Sequence, residues 1–410
     1  MRNQLLRPGR QLALLAISQW LALTLWFSAS AVVGLLKAEW QLDSAAEAWL
    51  TISVQLGFVI GSLGSAVLNL PDRWHPCWLF AGSALLGAGA TTAIVLGISP
   101  DLGRTPVGFA VAIALRMLTG VALAGVYPTG MKLAASWFVE KRGLAIGVLV
   151  GALTVGSASP HMVASMAVGN WRMVMMAAAA CATLASVMGL ALLRPGPHLR
   201  PAARFDPRYF AHVFRDTALR RANFGYLGHM FELYAMWTWA PRLLQERLTE
   251  SGWSSQEISL AAFCVIAVGG IGSVVAGWQA DRVGRTTITI VSLLISGTCA
   301  LVAGHLLDTP AVLLIVCLLW GFSVVADSAQ FSAAVSELCE PTLVGTALTI
   351  QTCTGFLLTT VTIRMIPTVR ELAGWPWAMS LLAIGPVFGI WHLVRLRRMP
   401  DALRLAHGKR

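Results

Sequence analysis

Residues 277–287 read Gly-Trp-Gln-Ala-Asp-Arg-Val-Gly-Arg-Thr-Thr, a short charged segment between two apolar runs. Its acid-base pair, Asp281-Arg282, has a counterpart in the first half of the chain, Asp72-Arg73. Each pair follows a glycine at the same interval, so the chain is predicted to contain two copies of one unit. In a strongly apolar polypeptide, such a duplication is typical of a transporter with two halves.

The composition predicts residence in a membrane. Hydrophobic residues make up 56% of the chain and charged residues only 12%, against roughly 25% charged residues in a soluble domain. A membrane-spanning helix needs about 20 mostly apolar residues. The chain offers twelve such runs: 12–36, 46–70, 77–98, 107–131, 143–167, 172–193, 222–244, 257–280, 286–306, 311–335, 343–366 and 374–395. We therefore predict an all-α membrane protein with twelve transmembrane helices in two pseudo-symmetric six-helix bundles.

The basic residues predict the orientation, because positively charged short loops stay in the cytoplasm. If both termini are cytoplasmic, most of the 30 lysines and arginines fall in segments on the cytoplasmic side. We expect a multi-pass protein of the cell membrane, plasma or bacterial inner, with both termini in the cytoplasm.

One long polar stretch divides the chain. Residues 194–221 carry seven arginines, and Pro195 and Pro197 disfavour continuation of the sixth helix. The predicted domains are an N-terminal six-helix bundle over 1–193, a cytoplasmic linker over 194–221 and a C-terminal six-helix bundle over 222–410. A short surface helix is expected around 207–216 within the linker.

Other classes of function lack their motifs. The seven cysteines show no paired spacing that would indicate a metal site or disulfides. The sequence has no phosphate-binding loop and no Gly-x-Ser-x-Gly motif. Basic residues spread over all cytoplasmic loops do not form a nucleic-acid-reading module. We expect neither enzymatic activity nor a metal, cofactor or nucleic acid. The expected partners of a monomer are a small-molecule solute, protons and the surrounding lipids.

Three signatures resemble the major facilitator superfamily and cover essentially the whole chain. The family's loop between helices two and three reads Gly-x-x-x-Asp-Arg-x-Gly-Arg-Arg. Residues 277–285 are close to this pattern, whereas the first-half copy keeps only its acid-base pair. The fourth helix of the family carries an arginine four residues before a glycine, matched by Arg116 and Gly120, and its fifth helix is glycine-rich, as residues 143–160 are here. The resemblance implies two six-helix bundles that alternate access to a central solute site.

The subfamily is less defined. The run Tyr127-Pro128-Thr129-Gly130 is similar to cyanate- and nitrate-type porters, although the arginines that nitrate porters carry in helices two and eight are absent. Proton-driven drug exporters carry a glycine-proline signature in helix five, and the segment 156–161 matches it only in part.

The charged loops and the fifth helix are candidates for conformational gating. An aspartate can cap a helix end and pair with an arginine, forming a latch that breaks as the bundles rock. Glycines at four-residue spacing allow close helix approach, which in the fifth helix favours sliding contact with the opposite bundle. The candidates are Asp72, Arg73, Asp281, Arg282, Arg285, Gly147, Gly151 and Gly156. The alternatives are that the arginines only set membrane topology and that the glycines only serve packing.

Four ionisable residues within predicted spans are candidates for function: Arg116, His229, Glu232 and Asp327. A charge at the bilayer centre costs at least roughly 2.5–3.5 kcal/mol, so such residues are retained for a reason. His229 and Glu232 are three residues apart and share a helix face, which we expect to line the central cavity. Glu232 and Asp327 are predicted to couple protons; a purely structural pairing is the alternative.

Arg116 cannot lose its proton, so an acid or an anionic substrate is expected to balance it. The resemblance associates the matching arginine with proton coupling. Aromatic residues near these positions are expected to shape the cavity or to stack on a flat solute. The predicted substrate-binding residues are Arg116, Tyr127, Tyr226, His229 and Trp237.

The sequence thus predicts a proton-coupled secondary active transporter, a symporter for a small polar solute that is an organic or inorganic anion rather than a sugar. The alternative is a proton-antiporting efflux pump for drugs or metabolites. A non-transporting receptor or scaffold on the same fold is a third possibility, and net flux separates it from the other two.

Overall fold

The computed structural model describes residues 7–138, 142–199, 205–340 and 343–409, and every regular element in these ranges is helical. The main helices are α1 (Pro8–Leu23), α2 (Val33–Trp40), α3 (Ser44–Val67), α4 (Pro76–Gly97), α5 (Pro106–Trp137), α6 (Arg142–Met166), α7 (Trp171–Ala191), α8 (Thr217–Glu250), α9 (Ser255–Val283), α10 (Arg285–Ala303), α11 (Pro310–Ala326), α12 (Ser328–Leu338), α13 (Val344–Ser380) and α14 (Ile384–Arg397).

These helices form twelve membrane spans. Within the described residues, nine stretches are long and apolar enough to cross a membrane. The last of them, Val344–Arg397, contains two spans, because Gly374 has a φ of 80° and interrupts the helix there. The first span is α1 and α2 together, joined by a short turn, and α8 crosses with more polar residues than the others. The predicted all-α fold of twelve transmembrane helices is confirmed, and the chain is a multi-pass membrane protein.

The spans pack as two groups with an extensive contact between them. In the first group α3 packs against α5, and α4 against α5 and α7; in the second α9 packs against α11, and α8 against α14. The groups meet where α6 packs against α9 and α3 against α13. We call the membrane end that is predicted to face the cytoplasm the inner end and the opposite one the outer end.

Matching glycines mark the same helix crossing in both groups. A Cβ atom on Gly120 would lie 2.1 Å from the carbonyl oxygen of Val54, and one on Gly321 would lie 1.7 Å from that of Val265. Both distances are far below van der Waals contact, so only glycine fits at either crossing. The duplication read from the sequence is therefore visible in the packing.

A second repeat lies at the outer end and was not predicted. The Glu39 carboxylate accepts hydrogen bonds from Trp171 Nε1 at 2.8 Å and from Arg172 Nη2 at 2.9 Å. In the second half, the Glu246 carboxylate accepts hydrogen bonds from Trp375 Nε1 and Arg370 Nη2, both at 2.8 Å. We call these two glutamate-tryptophan-arginine sets the outer clamps. Each ties the end of the first span of its half to the beginning of the last.

The linker contains the short helix Tyr209–Arg215, inside the predicted 207–216. Asp216 then caps α8 by accepting a hydrogen bond from the Leu219 backbone N–H. The linker residues 200–204 lie outside the described ranges.

Candidate functional site

A polar cavity of about 370 Å³ opens between the two groups at the outer end. We call it the outer cavity. Its polar lining comes from both halves: Ser30, His161, Thr238, Arg242, Gln245 and Ser259. Among the α8 residues, Arg242 places a positive charge at the cavity wall. The cavity is large enough for a small solute and is bounded by the two halves that alternating access would move.

A layer of aromatic side chains lies beneath the outer cavity. We call it the aromatic layer; Trp26, Phe27 and Phe58 come from the first half, and Tyr234, Trp237 and Phe356 from the second. Ring centroids across the interface lie 5.8 Å apart for Phe27 and Trp237, and 4.6 Å apart for Phe58 and Phe356. Such separations are favourable for aromatic pairs. The layer closes the path between the halves.

Two polar atoms in the aromatic layer have no partner. Trp26 Nε1 and Trp237 Nε1 are buried and make no hydrogen bond to any described residue. An unsatisfied buried donor costs roughly 1–3 kcal/mol. A solute with acceptor atoms would satisfy both donors as it passes the layer. Trp237, a predicted substrate-binding residue, therefore lies between the two halves with a buried donor that no described residue satisfies.

The inner halves of α6 and α9 are in close contact. A Cβ atom on Gly147 would lie 3.0 Å from the Ser273 carbonyl oxygen, and one on Gly151 would lie 3.1 Å from that of Gly270. Ser273 Oγ also donates a hydrogen bond to the Gly147 carbonyl. At the outer end, Ala164 of α6 and Ala262 of α9 instead line the outer cavity. The halves are therefore apart at the outer end and in contact at the inner end, where these two glycines lie.

Gly156 has a different role from the other two glycines. A Cβ atom there would lie 2.6 Å from the Trp20 carbonyl oxygen, which belongs to α1 of the same half. The expected contact with the opposite bundle thus forms at Gly147 and Gly151, whereas Gly156 allows α1 and α6 to pack closely.

The buried ionisable residues of the second half form one cluster. We call His229, Glu232 and Asp327 the charge cluster; each is at most 1% exposed. Glu232 Oε1 accepts a hydrogen bond from Trp320 Nε1 at 2.7 Å, and Oε2 accepts one from Ser296 Oγ at 2.8 Å. Both partners lie on neighbouring helices, α11 and α10. The Glu232 carboxylate thus connects α8 to both of these helices.

His229 links α8 to the break between α11 and α12. Its Nδ1 lies 2.9 Å from Asp327 Oδ1, although the N–H direction is not aligned with the oxygen. Its Nε2 lies 2.8 Å from Ser328 Oγ. Asp327 is the residue between α11 and α12, so a carboxylate stands at the interruption of that span.

The expectation that His229 and Glu232 line the central cavity is wrong. Their polar atoms point to α10, α11 and Ser328, inside the second half. The reason is that Ser296, Trp320 and Asp327 supply partners there, whereas the face of α8 toward the first half carries Tyr234 and Trp237.

Arg116 of the first half is also completely buried, but its partners are backbone carbonyls. Its Nη1 donates to Leu25 O at 3.0 Å, its Nη2 to Trp26 O at 2.6 Å and its Nε to Leu50 O at 3.3 Å. Nη1 also donates to Ser28 Oγ. These acceptors include the carbonyls left free where the first span is interrupted after α1. No carboxylate among the described residues forms an ion pair with Arg116.

The other two predicted substrate-binding residues are tyrosines near the interface. Tyr226 is buried, with its ring 6.1 Å from that of His229 and 5.8 Å from that of Phe331. Tyr127 is half-buried and packs against the same apolar core. Both lie on the inner side of the aromatic layer.

The charged loop residues form pairs within each half. Asp72 contacts Lys132 Nζ, which also donates to Pro71 O at 2.9 Å. Arg73 is exposed. In the second half, Arg285 donates to both oxygens of Glu337 and lies 3.5 Å from Asp281, and Arg282 lies over the Trp278 ring at 3.8 Å.

Several partners escaped the sequence reasoning. Ser296 and Trp320 lie 64 and 88 residues from Glu232 in the chain, so no spacing rule connects them. Lys132, the partner of Asp72, lies 60 residues from it in the chain. The glutamate and tryptophan of the outer clamps could have been found by aligning the two halves, but the arginines could not, because Arg172 follows its tryptophan and Arg370 precedes it. No group of metal-ligating side chains occurs in the described part of the chain.

Comparison with known proteins agrees with this architecture. The sequence profile described as Major Facilitator Superfamily matches residues 15–363 and 226–409. A search of curated proteins finds no significant match. Among solved structures, the proton:xylose symporter XylE bound to 6-bromo-6-deoxy-D-glucose is similar with a TM-score of 0.75 and 13% identity over 94% of each chain. A mutant of the nucleoside transporter NupG is similar with a TM-score of 0.69 and 14% identity over 94% of this chain and 99% of that one.

Proposed function

Because the chain belongs to the major facilitator superfamily and is a secondary transporter rather than an enzyme, we propose that it couples protons to the movement of a small polar solute by alternating access. The solute enters from the outer cavity and passes the aromatic layer. The charge cluster carries the proton. The whole path lies within one chain, which supports a monomeric transporter of the cell membrane. The distribution of lysines and arginines supports cytoplasmic termini.

One observation carries the proposal: a single helix, α8, connects all three parts. It holds His229 and Glu232 of the charge cluster, Tyr234 and Trp237 of the aromatic layer, and Thr238 of the outer cavity wall. Any movement of α8 that follows a change at Glu232 is transmitted to the layer and the cavity, since these residues lie within about two helical turns.

The proton changes how α8 is held by its neighbours. A charged Glu232 accepts hydrogen bonds from Ser296 Oγ and Trp320 Nε1. Hydrogen bonds to a charged acceptor are stronger than those to a neutral one. Protonation therefore weakens the attachment of α8 to α10 and α11, and deprotonation restores it. Asp327, facing His229, gives the same helix a second charge-dependent contact.

Charge in the outer cavity supports an organic or inorganic anion as the solute. Arg242 lines this cavity and shares the Glu246 carboxylate with Arg370. Two arginines on one carboxylate leave a net positive charge at the cavity wall, and such a charge raises the local concentration of anions. The N–H groups of Arg116 donate to backbone carbonyls. For Arg116 to contribute to coupling and anion binding as well, these hydrogen bonds must break during transport.

The test is solute uptake in proteoliposomes after a pH jump, with a pool of labelled anions and lipophilic cations. We expect anion accumulation driven by the proton gradient in the wild type and its loss in Glu232→Gln. Glu250→Gln, an exposed acid on the same helix, is the matched control and should transport normally. Accumulation that survives in Glu232→Gln would contradict proton coupling at this residue.

A groove on the membrane face favours the alternative, a proton-antiporting exporter of drugs or metabolites. The groove has a volume of about 480 Å³ and is lined almost wholly by apolar residues of α1, α6 and α9: Ile17, Trp20, Val148, Val155, Ile271 and Val275. A lipophilic solute could enter it from the bilayer. In the same proteoliposomes, exchange of labelled lipophilic cations for protons, without anion uptake, would identify the exporter.

A further inference from the structure

The inner ends of α8 and α14 form a basic and aromatic surface that plays no part in the transport path. The guanidinium carbon of Arg221 lies 5.2 Å from the ring centroid of Trp391, and that of Arg395 lies 4.5 Å from the same centroid. Trp391 is 48% exposed on the outside of the helix group. Tryptophan and arginine at this depth lie at the boundary between lipid tails and headgroups. We call Arg221, Arg395 and Trp391, with His392, the inner basic site.

Positive charge at the inner basic site is not balanced by the protein. Neither Arg220, Arg221 nor Arg395 forms an ion pair with a carboxylate in the ranges that the structure describes. Arg221 Nη1 lies 3.0 Å from His392 Nδ1. A guanidinium can only donate, so His392 accepts through Nδ1 and is neutral in this arrangement. The histidine thus orients Arg221 without changing the net charge.

The position of these arginines on α8 adds to the imbalance. Arg220 and Arg221 lie in the first turns of α8, which begins at Thr217. The positive end of a helix dipole lies at the N-terminus, where anions are favoured and cations are not. Other arginines near the inner end have partners: Arg208 pairs with Asp206, and Arg285 with Glu337. An external anion would supply what the chain does not provide here.

An aromatic row continues from the inner basic site along the lipid-facing surface. His392 contacts Phe388 and Phe224, with ring centroids 4.5 and 4.8 Å apart. Phe224 continues to Phe214, and Phe214 to Phe210 of the linker helix, at 6.1 and 5.3 Å. Phe388 and Phe210 are 40% and 52% exposed. Apolar surface beside a group of unpaired arginines suits a molecule that has both an anionic head and hydrocarbon chains.

We propose that the inner basic site binds the phosphate of an anionic phospholipid of the cytoplasmic leaflet, with its acyl chains along the aromatic row. Arginine recognises phosphate through charge-assisted hydrogen bonds, and basic residues at this boundary are attracted to anionic lipid. A free phosphate ion would use the arginines but not the aromatic row. Because the site joins α8 to α14, the bound lipid holds together the first and last spans of the second half.

The test is native mass spectrometry of the purified full chain in detergent, titrated with phosphatidylglycerol or phosphatidylcholine of the same acyl chains. We expect the wild type to bind phosphatidylglycerol about tenfold more tightly. Arg221→Gln combined with Arg395→Gln should lose this preference. Arg398→Gln combined with Arg404→Gln removes the same charge from exposed positions and should retain it.

Equal binding of the two lipids by the wild type would overturn the proposal, as would an equal loss of preference in both double variants. Displacement of phosphatidylglycerol by equimolar inorganic phosphate would show a free-anion site instead of a lipid site. If the Arg221-Arg395 double variant does not fold, Arg395→Gln alone decides the matter, since its exposed side chain supports no core packing. It should lose part of the preference, and an unchanged preference would refute the site.

Discussion

Arg116 in the first half and Glu232 in the second are both fully buried, but their charges are met in different ways. Arg116 donates to three backbone carbonyls and one hydroxyl. These groups do not change their charge with pH, and the helices hold them in place. Glu232 accepts from two side chains and lies in one cluster with Asp327 and His229. The first arrangement is permanent, whereas the second can change with a single proton.

The two halves remain similar where they only have to hold together. The outer clamps repeat the same glutamate, tryptophan and arginine at nearly the same distances. At the middle of the membrane the halves differ: with Gly120 and Gly321 as anchors, the position equivalent to Arg116 is occupied by Cys317, which is buried. The two halves thus share their packing and their outer clamps but differ in the charged residues at the middle of the membrane. Such a difference is expected if one half carries the proton and the other supports it.

The largest expected effect is on the first half. Arg116→Gln leaves the Trp26 carbonyl without its donor and removes one donor from the Leu25 carbonyl, which still accepts from Ser28. We therefore expect a loss of about 1–3 kcal/mol in stability, the cost of one unsatisfied buried group. Thermal unfolding in detergent, followed by size-exclusion chromatography, measures it. Arg116→Lys should recover part of the loss, because an ammonium donates but lacks the planar fork.

A stable Arg116→Gln protein that no longer transports would break this comparison. Arg116 would then act on the solute or the proton, as the sequence alone predicts, and the carbonyl contacts would be incidental.

For the second half we expect the opposite pattern from Asp327→Asn. Asparagine keeps the size of Asp327 and an acceptor oxygen beside His229, so Asp327→Asn should change stability by only about 1 kcal/mol, the net contribution of one hydrogen bond. The charge that faces His229 is lost, and the pH dependence of solute uptake should change. The measurement is uptake at several pH values beside the unfolding temperature. If Asp327→Asn lost stability but its folded fraction kept the wild-type pH dependence of uptake, Asp327 would be structural, like Arg116.

The contact between the halves gives a smaller, conformational effect. Gly147→Leu adds a side chain against the Ser273 carbonyl, so the inner ends of α6 and α9 should separate and the inward-facing state should become more populated. Labelling of an introduced Ser65→Cys, which lines an inner cavity of about 190 Å³, should rise a few-fold. Gly64→Leu has open space around it and serves as the control. Equal labelling of the two variants would remove Gly147 from the gating contact.

Much of the frame could be predicted from the sequence, because it depends on local rules. Apolar runs of membrane length gave the twelve spans, and the repeated acid-base pair gave the two halves. The glycine spacing of the fifth helix predicts close helix approach, and Gly147 and Gly151 lie against α9 of the other half. The broken first span was not predicted, since residues 24–32 are as apolar as a helix, and its interruption depends on a distant side chain, Arg116, that satisfies the exposed carbonyls.

The site was less predictable because it depends on the rotation of helices. His229 and Glu232 were correctly placed on one face, but which neighbour that face meets is set by the packing of α8 against α10 and α11. A charged residue in a span shows only that a partner must exist. Ser296, which donates to Glu232, resembles any other small polar residue of a membrane helix.

The smallest effect is expected at the outer clamp of the first half, which acid should weaken. Burial alone would raise the pKa of the Glu39 carboxyl, but hydrogen bonds from Arg172 and Trp171 and the charges of Arg172 and Arg104 together hold it below the ordinary value of 4.5. A lowered pKa means that the charged form stabilises the fold at neutral pH, and that this stabilisation disappears as the pH falls below 4.5.

Glu39→Gln should therefore be less stable than the wild type at neutral pH, by less than about 1 kcal/mol for a partly exposed pair. The difference should shrink as the pH falls below 4.5, since the wild-type clamp weakens as Glu39 is protonated. Unfolding temperatures over a pH series from neutral to acid test it, with the exposed Asp101→Asn as the control. A difference that stays constant with pH would mean that Glu39 acts through its shape and hydrogen bonds rather than its charge, and the clamp of the first half would then hold equally well in acid.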